Sequence, residues 1–122
     1  MALRSQQPKS RDEVEHLVAV YGYVVPDEED VSDYLLKNAA IVPVLHEAAT
    51  EFPRYFPPEA HRTLRVFHDP EWGDIGPLFV TLEWPHESSF DAQARLTSFQ
   101  DEWWFPRAIE TRTGSAIVFD VA

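Results

Sequence analysis

The residues of this chain that could do chemistry gather near its C-terminal end, in the run Phe99-Gln100-Asp101-Glu102-Trp103-Trp104-Phe105. Paired carboxylates can act as general acid and base, but adjacent residues on a helix point in different directions. We therefore interpret Asp101 and Glu102 as solvated charges on a helix face. The aromatic residues indicate binding instead, because only one of two adjacent tryptophans on a helix can point squarely at the core.

The helical spacing assigns one tryptophan of this pair to the core. One narrow face carries, at i, i+4, i+7 and i+11, the residues Ala92, Leu96, Phe99 and Trp103. Trp104 lies about 100° further round the helix. We expect it at the rim of the core, with its indole N–H bonded to a loop carbonyl. The alternative is that Trp104 and Phe105 form an exposed anchor for another protein, since tryptophan is enriched in interface hot spots.

A second group of carboxylates lies in a turn-rich segment, where Asp69, Glu71 and Asp74 surround Trp72 and Gly73. A calcium loop of the EF type needs D-x-[DN]-x-[DN]-G followed by a glutamate, whereas here glycine takes the third ligand position. We therefore expect no metal and no cofactor. We interpret the segment as a polar turn in which Trp72 folds back onto the sheet. The candidate binding residues of the chain are thus Trp72, Trp104, Phe105, Asp69 and Glu71.

The histidines suggest an enzymatic alternative but show no ligand spacing such as H-E-x-x-H; they are His16, His46, His61, His68 and His86. We expect His68 to be a rim histidine rather than a general base, because it shares a strand face with Leu64 and Val66. A small hydrolase or metal-dependent enzyme would instead use His68, Asp69 and Glu83, which must then converge in one pocket. A ligand-binding domain would stack a small molecule on Trp72, Trp84 or Trp104.

Charge and composition narrow the classes of partner. The 122 residues fit one domain and carry a net charge of −11, which repels nucleic acid and anionic lipid. A basic protein is easier to accommodate. Residues 1–11 look like a flexible tail without the apolar stretch of a signal peptide, and no apolar run reaches the ~18 residues of a membrane span. With no cysteine in the chain, we expect a cytoplasmic protein.

The sequence pattern of the N-terminal half predicts three helices. The spacing of Val14, Leu17, Val18 and Tyr21 predicts a helix that ends at Gly22, with a short strand possible toward Val25. A second helix is predicted over residues 31–40, capped by Asp30. A third would begin at Pro43 and end at Pro53, since proline suits a first turn and breaks an interior.

The C-terminal half predicts an α+β fold. Alternation indicates strands over residues 63–68 and 78–84, joined as an antiparallel hairpin. A helix would run from Ser89, capped by Ser88, to a stop at Pro106, followed by a last strand over residues 116–121. We expect a three-stranded, mostly antiparallel sheet of order 3-1-2 or 1-2-3, with helices packed on one face of a single domain, residues 12–122. The last strand offers an edge through which the chain could form a homodimer.

Several motifs resemble a group of small bacterial proteins of uncharacterised function; they are Tyr21-Gly22-Tyr23, Leu35-Leu36-x-Asn38, Phe56-Pro57, the two strands and Asp101-Glu102-Trp103-Trp104. The resemblance covers roughly residues 20–122 and implies a bacterial cytosolic protein, without supplying an activity, cofactor or catalytic residue. The hypothesis that the residues themselves favour is a non-enzymatic acidic interaction module or regulatory subunit, for instance an antitoxin-like one, that binds another protein.

Overall fold

A computed structural model describes residues 7–85 and 88–122 of the chain. Its helices are α1 (Gln7–Tyr21), α2 (Glu28–Lys37), α3 (Ile41–Tyr55), α4 (Ser89–Phe99), a π-helical segment (Gln100–Trp104) and α5 (Phe105–Thr111). Its strands are β1 (Tyr23–Val24), β2 (His61–His68), β3 (Ile75–Glu83) and β4 (Ile117–Val121). Helix α1 begins inside the range 1–11 expected as a tail; residues 1–6 and His86 lie outside the described residues.

The α+β class is confirmed, but the sheet has four strands rather than three. Its order is β1-β2-β3-β4, so the last three strands follow the sequential alternative and not the order 3-1-2. Only β2 and β3 are antiparallel, while β1 pairs parallel with β2 and β4 parallel with β3. The expected mostly antiparallel sheet is therefore wrong. The physical reason is that the helices between β3 and β4 form a crossover, which returns the chain in the same direction.

The core lies between one face of the sheet and the helices. Buried strand residues alternate with accessible ones in the middle of the sheet, and the buried ones on this face include Leu64, Val80 and Phe119. Phe52 of α3 lies at its centre, with its ring about 6 Å from those of Tyr23, Phe56, Phe99 and Phe119. The alternation of buried and accessible residues leaves the opposite face of the sheet without such a layer.

The C-terminal end of α3 and the N-terminal end of α2 differ from the predicted ones. Helix α3 continues past Pro53 to Tyr55, and the N–H of Phe56 closes the last turn on Phe52 O at 2.8 Å. Helix α2 is capped by Asp27, whose carboxylate accepts the N–H of Asp30 at 3.0 Å. The side chain of the predicted cap, Asp30, instead makes a contact with the sheet.

Pro106 does not end the last long helix. The N–H of Phe105 bonds to Gln100 O, five residues back, which makes the turn between them π-helical. Helix α5 then begins at Phe105, so Pro106 lies just after the π-helical turn, and the backbone continues as helix to Thr111. Arg107 ties α5 to α3 through two bonds to the Glu47 carboxylate, at 2.6 and 2.7 Å. These bonds hold the pKa of Glu47 below its usual value.

Candidate functional site

The turn between β2 and β3 is fixed by one carboxylate; we call residues 69–75 the hairpin tip. Asp69 Oδ1 accepts the backbone N–H of Glu71 at 2.8 Å and that of Trp72 at 3.1 Å. The backbone of Asp69 closes the same turn, since its N–H donates to Asp74 O at 2.9 Å and its O accepts from Gly73 at 3.0 Å. Four hydrogen bonds thus hold a short surface loop in one conformation.

This ordered turn presents a tryptophan to solvent. Trp72 is 79% exposed, and its neighbour Ile75 is exposed as well. The expectation that Trp72 folds back onto the sheet is therefore wrong. The reason is that the turn's bonds use the backbone around Trp72, and the conformation they impose directs the side chain outward. An exposed indole on a fixed turn is a suitable anchor for another macromolecule, because little conformational freedom is left to lose on binding.

The acidic start of α2 lies beside the hairpin tip. Asp30 accepts from His68 Nε2 at 2.7 Å, which joins the first turn of α2 to the last residue of β2. That turn also carries Glu28 and Glu29. The hairpin tip itself carries Asp69, Glu71 and Asp74, so acidic residues lie close in the chain to the exposed Trp72 and Ile75.

Tyr34 fixes the same helix against the start of β3. Its hydroxyl donates to Ala116 O at 2.9 Å, and its ring lies against Gly76. Burial raises the pKa of this phenol above its ordinary value. The position of α2 relative to the hairpin is therefore defined at two points, by Asp30 and by Tyr34.

The structure reverses the assignments of the tryptophan pair. Trp104 is 3% exposed and packs edge-on against Phe119 with ring centroids 4.8 Å apart, whereas Trp103 is half-buried against Phe99. The prediction of a core Trp103 and a rim Trp104 assumed an uninterrupted α-helix. The π-helical turn holds one residue more, which shifts the inward direction from Trp103 to Trp104.

The five candidate binding residues therefore divide into separate groups. Asp69, Glu71 and Trp72 lie together at the hairpin tip. Trp104 lies in the core and presents no anchor. Phe105 is exposed on α5, one helical turn from the exposed Ile109, and forms an apolar pair apart from the tip.

The residues of the enzymatic alternative do not converge. His68 pairs with Ile75 at one end of the β2–β3 ladder, while Glu83 pairs with His61 at the other end. Seven residues of extended strand separate the two ends by about 23 Å. The tryptophans of the ligand-stacking alternative are also apart, since Trp72 is at the tip and Trp84 packs against Phe56 beyond the far end of the hairpin.

A different histidine cluster was missed by the sequence reasoning. His46 of α3 stacks on His16 of α1 at 5.3 Å, its Nδ1 lies 3.3 Å from the Tyr21 hydroxyl, and its Nε2 lies 3.7 Å from Glu13. An open cavity of about 300 Å³ is lined by Asp12, Glu13, His16 and His46. Sequence spacing could not reveal it, because it forms only when α1 packs on α3.

Two features are absent from the described residues, 7–85 and 88–122. No group of three or more histidine or acidic side chains there is arranged to hold a metal ion. No helix in the same ranges combines the length and apolar composition needed to cross a membrane.

Comparisons of the chain with protein-family models, with curated proteins and with solved structures found no match. The resemblance to small bacterial proteins therefore stays a prediction. Function has to be inferred from the geometry of the hairpin tip and its surroundings.

Proposed function

We propose that this chain is an acidic protein-interaction module of the cytoplasm that binds a basic partner protein through the hairpin tip. The observation that carries the proposal is the exposed Trp72 on a turn that Asp69 holds in one conformation. The indole supplies apolar contact area at the centre of the interface. The role is regulatory or scaffolding, as for a subunit whose effect depends on the partner it holds.

The charge around Trp72 supports a basic partner. The tip carries Asp69, Glu71 and Asp74, and Asp30 at the start of α2 contacts His68, the residue that precedes the tip. A surface of this sign attracts lysine- and arginine-rich proteins and accelerates their association. The acidic rim and the aromatic centre together resemble the usual anatomy of a specific interface, with polar groups around an apolar anchor.

The proposal is tested by comparative pull-downs from the native host, with tagged wild type, Trp72→Ala and Phe90→Ala. Phe90 is the matched control, because it is 82% exposed but lies on the first turn of α4, outside the tip. We expect one basic protein to be retained by the wild type and by Phe90→Ala. Loss of a hot-spot tryptophan should weaken binding about 30-fold or more, so Trp72→Ala should not retain it.

A charge variant completes the experiment. Glu71 contributes its backbone N–H to the turn, so Glu71→Lys should leave the turn intact and still weaken capture at low salt. The proposal fails if no protein is retained at either low or high salt. It also fails if Trp72→Ala retains the same partner as well as the wild type does.

A further inference from the structure

The face of the sheet opposite the helices is a second surface, distinct from the hairpin tip. We call its central part the open sheet face; its residues are Val24, Thr63, Arg65, Phe67, Phe79, Thr81, Val118 and Asp120. Phe67 is 46% exposed and its ring lies 6.3 Å from that of Phe79. Beside these rings is an apolar groove of about 300 Å³, which Arg65 and Thr81 also line.

The charges on this face are unlike those of the rest of the molecule. The chain has a net charge of −11, but the eight residues of the open sheet face include one cation, Arg65, and one anion, Asp120. Asp120 Oδ1 is shielded from solvent and has no hydrogen-bond partner among residues 7–85 and 88–122. Because one oxygen is buried without a donor, the carboxylate is poorly solvated, and a cation beside the accessible part of this partly exposed side chain would stabilise its charge.

Arg65 cannot supply that cation within one chain. Arg65 and Val118 both register with Phe79, whereas Asp120 registers with Thr81, two residues further along β3. Because β2 and β4 lie on opposite sides of β3, the two Cα positions are about 12 Å apart across the face. The cation and the anion are therefore placed diagonally about the centre of β3.

We infer that the open sheet face binds a second copy of this chain through a two-fold interface. A two-fold axis that lies in the face, crosses β3 between Phe79 and Thr81 and runs perpendicular to the line from Arg65 to Asp120 places Arg65 of each copy over Asp120 of the other. One symmetry operation thus creates two ion pairs and leaves Phe79 of both copies beside the axis. This surface shares no residue with the hairpin tip, so the inference stands apart from the proposed function.

A second copy suits this face better than a basic partner does. The central part of the face carries one cation and one anion and is self-complementary, which is what a two-fold interface requires; Glu83 adds a further carboxylate at the end of the face. A basic protein is attracted instead to the carboxylates near the tip. The footprint is modest, since four strands about 4.8 Å apart and five residues of about 3.3 Å each cover roughly 300 Å² in projection. Stable interfaces bury about 800 Å² per partner, so the dimer is weak and concentration-dependent.

Edge-to-edge pairing of β4, the mode expected from the sequence, is less favoured. Because Ala116 O and the N–H of Ala122 bond to β3, the backbone groups of Ile117 and Phe119 point away from it. These two residues are only 1% and 2% exposed as whole residues. Their backbone is thus not open to another strand, and the face is the better place for self-association.

The test is sedimentation velocity over a range of concentrations, with two charge-reversed variants alone and mixed. Arg65→Glu alone would bring two carboxylates together in both contacts, and Asp120→Arg alone would bring two guanidinium groups together. Each should raise the dimer dissociation constant about tenfold or more. An equimolar mixture of the two variants should dimerise again. In the mixed dimer one contact joins the two exchanged side chains, which have opposite charges, and the other contact keeps the native pair of Arg65 and Asp120. Misfolding of either variant could not produce this recovery.

Lys37→Glu is the matched control for net charge, since Lys37 is exposed at the end of α2, away from the open sheet face. At about 0.3 M salt, where the overall repulsion is screened, it should dimerise like the wild type. The inference is overturned if the wild type is monomeric at every concentration reached, or if Arg65→Glu dimerises as the control does. It is equally overturned if the mixture stays monomeric while the wild type dimerises.

Discussion

Trp103 and Trp104 are adjacent in the chain but contribute unequally to the core. Trp104 is buried against Phe119, while Trp103 is half-buried and covers Phe99 from outside. Burial of an aromatic side chain is among the largest single contributions to stability. The unequal burial should therefore be measurable as unequal stability.

We expect Trp104→Ala to lower the free energy of unfolding by about 3–5 kcal/mol, the usual cost of removing a buried tryptophan side chain. Trp103→Ala should cost clearly less, because part of that ring already contacts water. Urea unfolding followed by far-ultraviolet circular dichroism measures both values. Equal losses, or a greater loss at Trp103, would contradict the π-helical placement of the pair.

Single residues were predictable where their effect is local. The sequence identified Asp69 as part of a polar turn and grouped it with Glu71 and Trp72, because turn chemistry depends on near neighbours. The direction of the Trp72 side chain depends on the bonds of the turn backbone, which residue types do not reveal. The contacts of His46 depend on how two helices pack, so spacing along the chain carries no information about them.

At the scale of elements, the start of β3 depends on a glycine that touches α2. Gly76 has φ of +105°, and a Cβ at this position would lie 2.6 Å from Cε1 of Tyr34. Tyr34 cannot readily move away, because its hydroxyl is bonded to Ala116 O. Gly73 of the tip has a similar φ of +74°, but a Cβ there meets nothing within 4 Å.

These two glycines form a matched pair of variants. Gly73→Ala should lower the free energy of unfolding by about 1–2 kcal/mol, the penalty of a left-handed conformation for an L-residue. Gly76→Ala should lower the free energy of unfolding by more than this. The new Cβ would clash with Tyr34 in addition to straining the backbone at a positive φ. Thermal unfolding of both variants measures the difference. Similar melting temperatures would show that Tyr34 does not confine this position.

Most helices and strands could be predicted from the sequence, but the directions in which the strands pair could not. Hydrophobic spacing and caps predicted α2, α3, the start of α4 and the three longer strands within a few residues, since these features act over one or two turns. They did not predict that α1 starts at Gln7 or that the helix continues past Pro106 into α5. Strand β1 has only two residues, too few to show alternation. The parallel direction of β4 depends on the path of the chain across the sheet.

At the scale of the whole molecule, the charge of −11 acts on both proposed interactions, but with opposite sign. It attracts a basic partner to the tip and repels a second copy from the open sheet face. Salt screens both effects, because the Debye length falls to about 8 Å at physiological ionic strength. The two Arg65–Asp120 pairs of the dimer are shielded by the interface and are screened less.

Salt should therefore separate the two surfaces. Between low salt and about 0.3 M salt, capture of the basic partner should weaken while the dimer dissociation constant falls. Pull-down yield and sedimentation velocity, measured in the same buffers, give the two trends. A partner whose capture does not respond to salt would contradict an electrostatic role for the acidic rim. A dimer that weakens as salt rises would show that local pairs outweigh the overall repulsion.

The π-helical turn also has a consequence for how this chain could have changed over generations. A π turn holds one residue more than an α turn, so it is equivalent to a single codon added within residues 100–104. In an ancestral chain without that codon, Trp104 would follow Phe99 by four positions in one continuous helix and would face inward as it does now. The π turn therefore absorbs the added residue, and both neighbouring helices keep their buried faces.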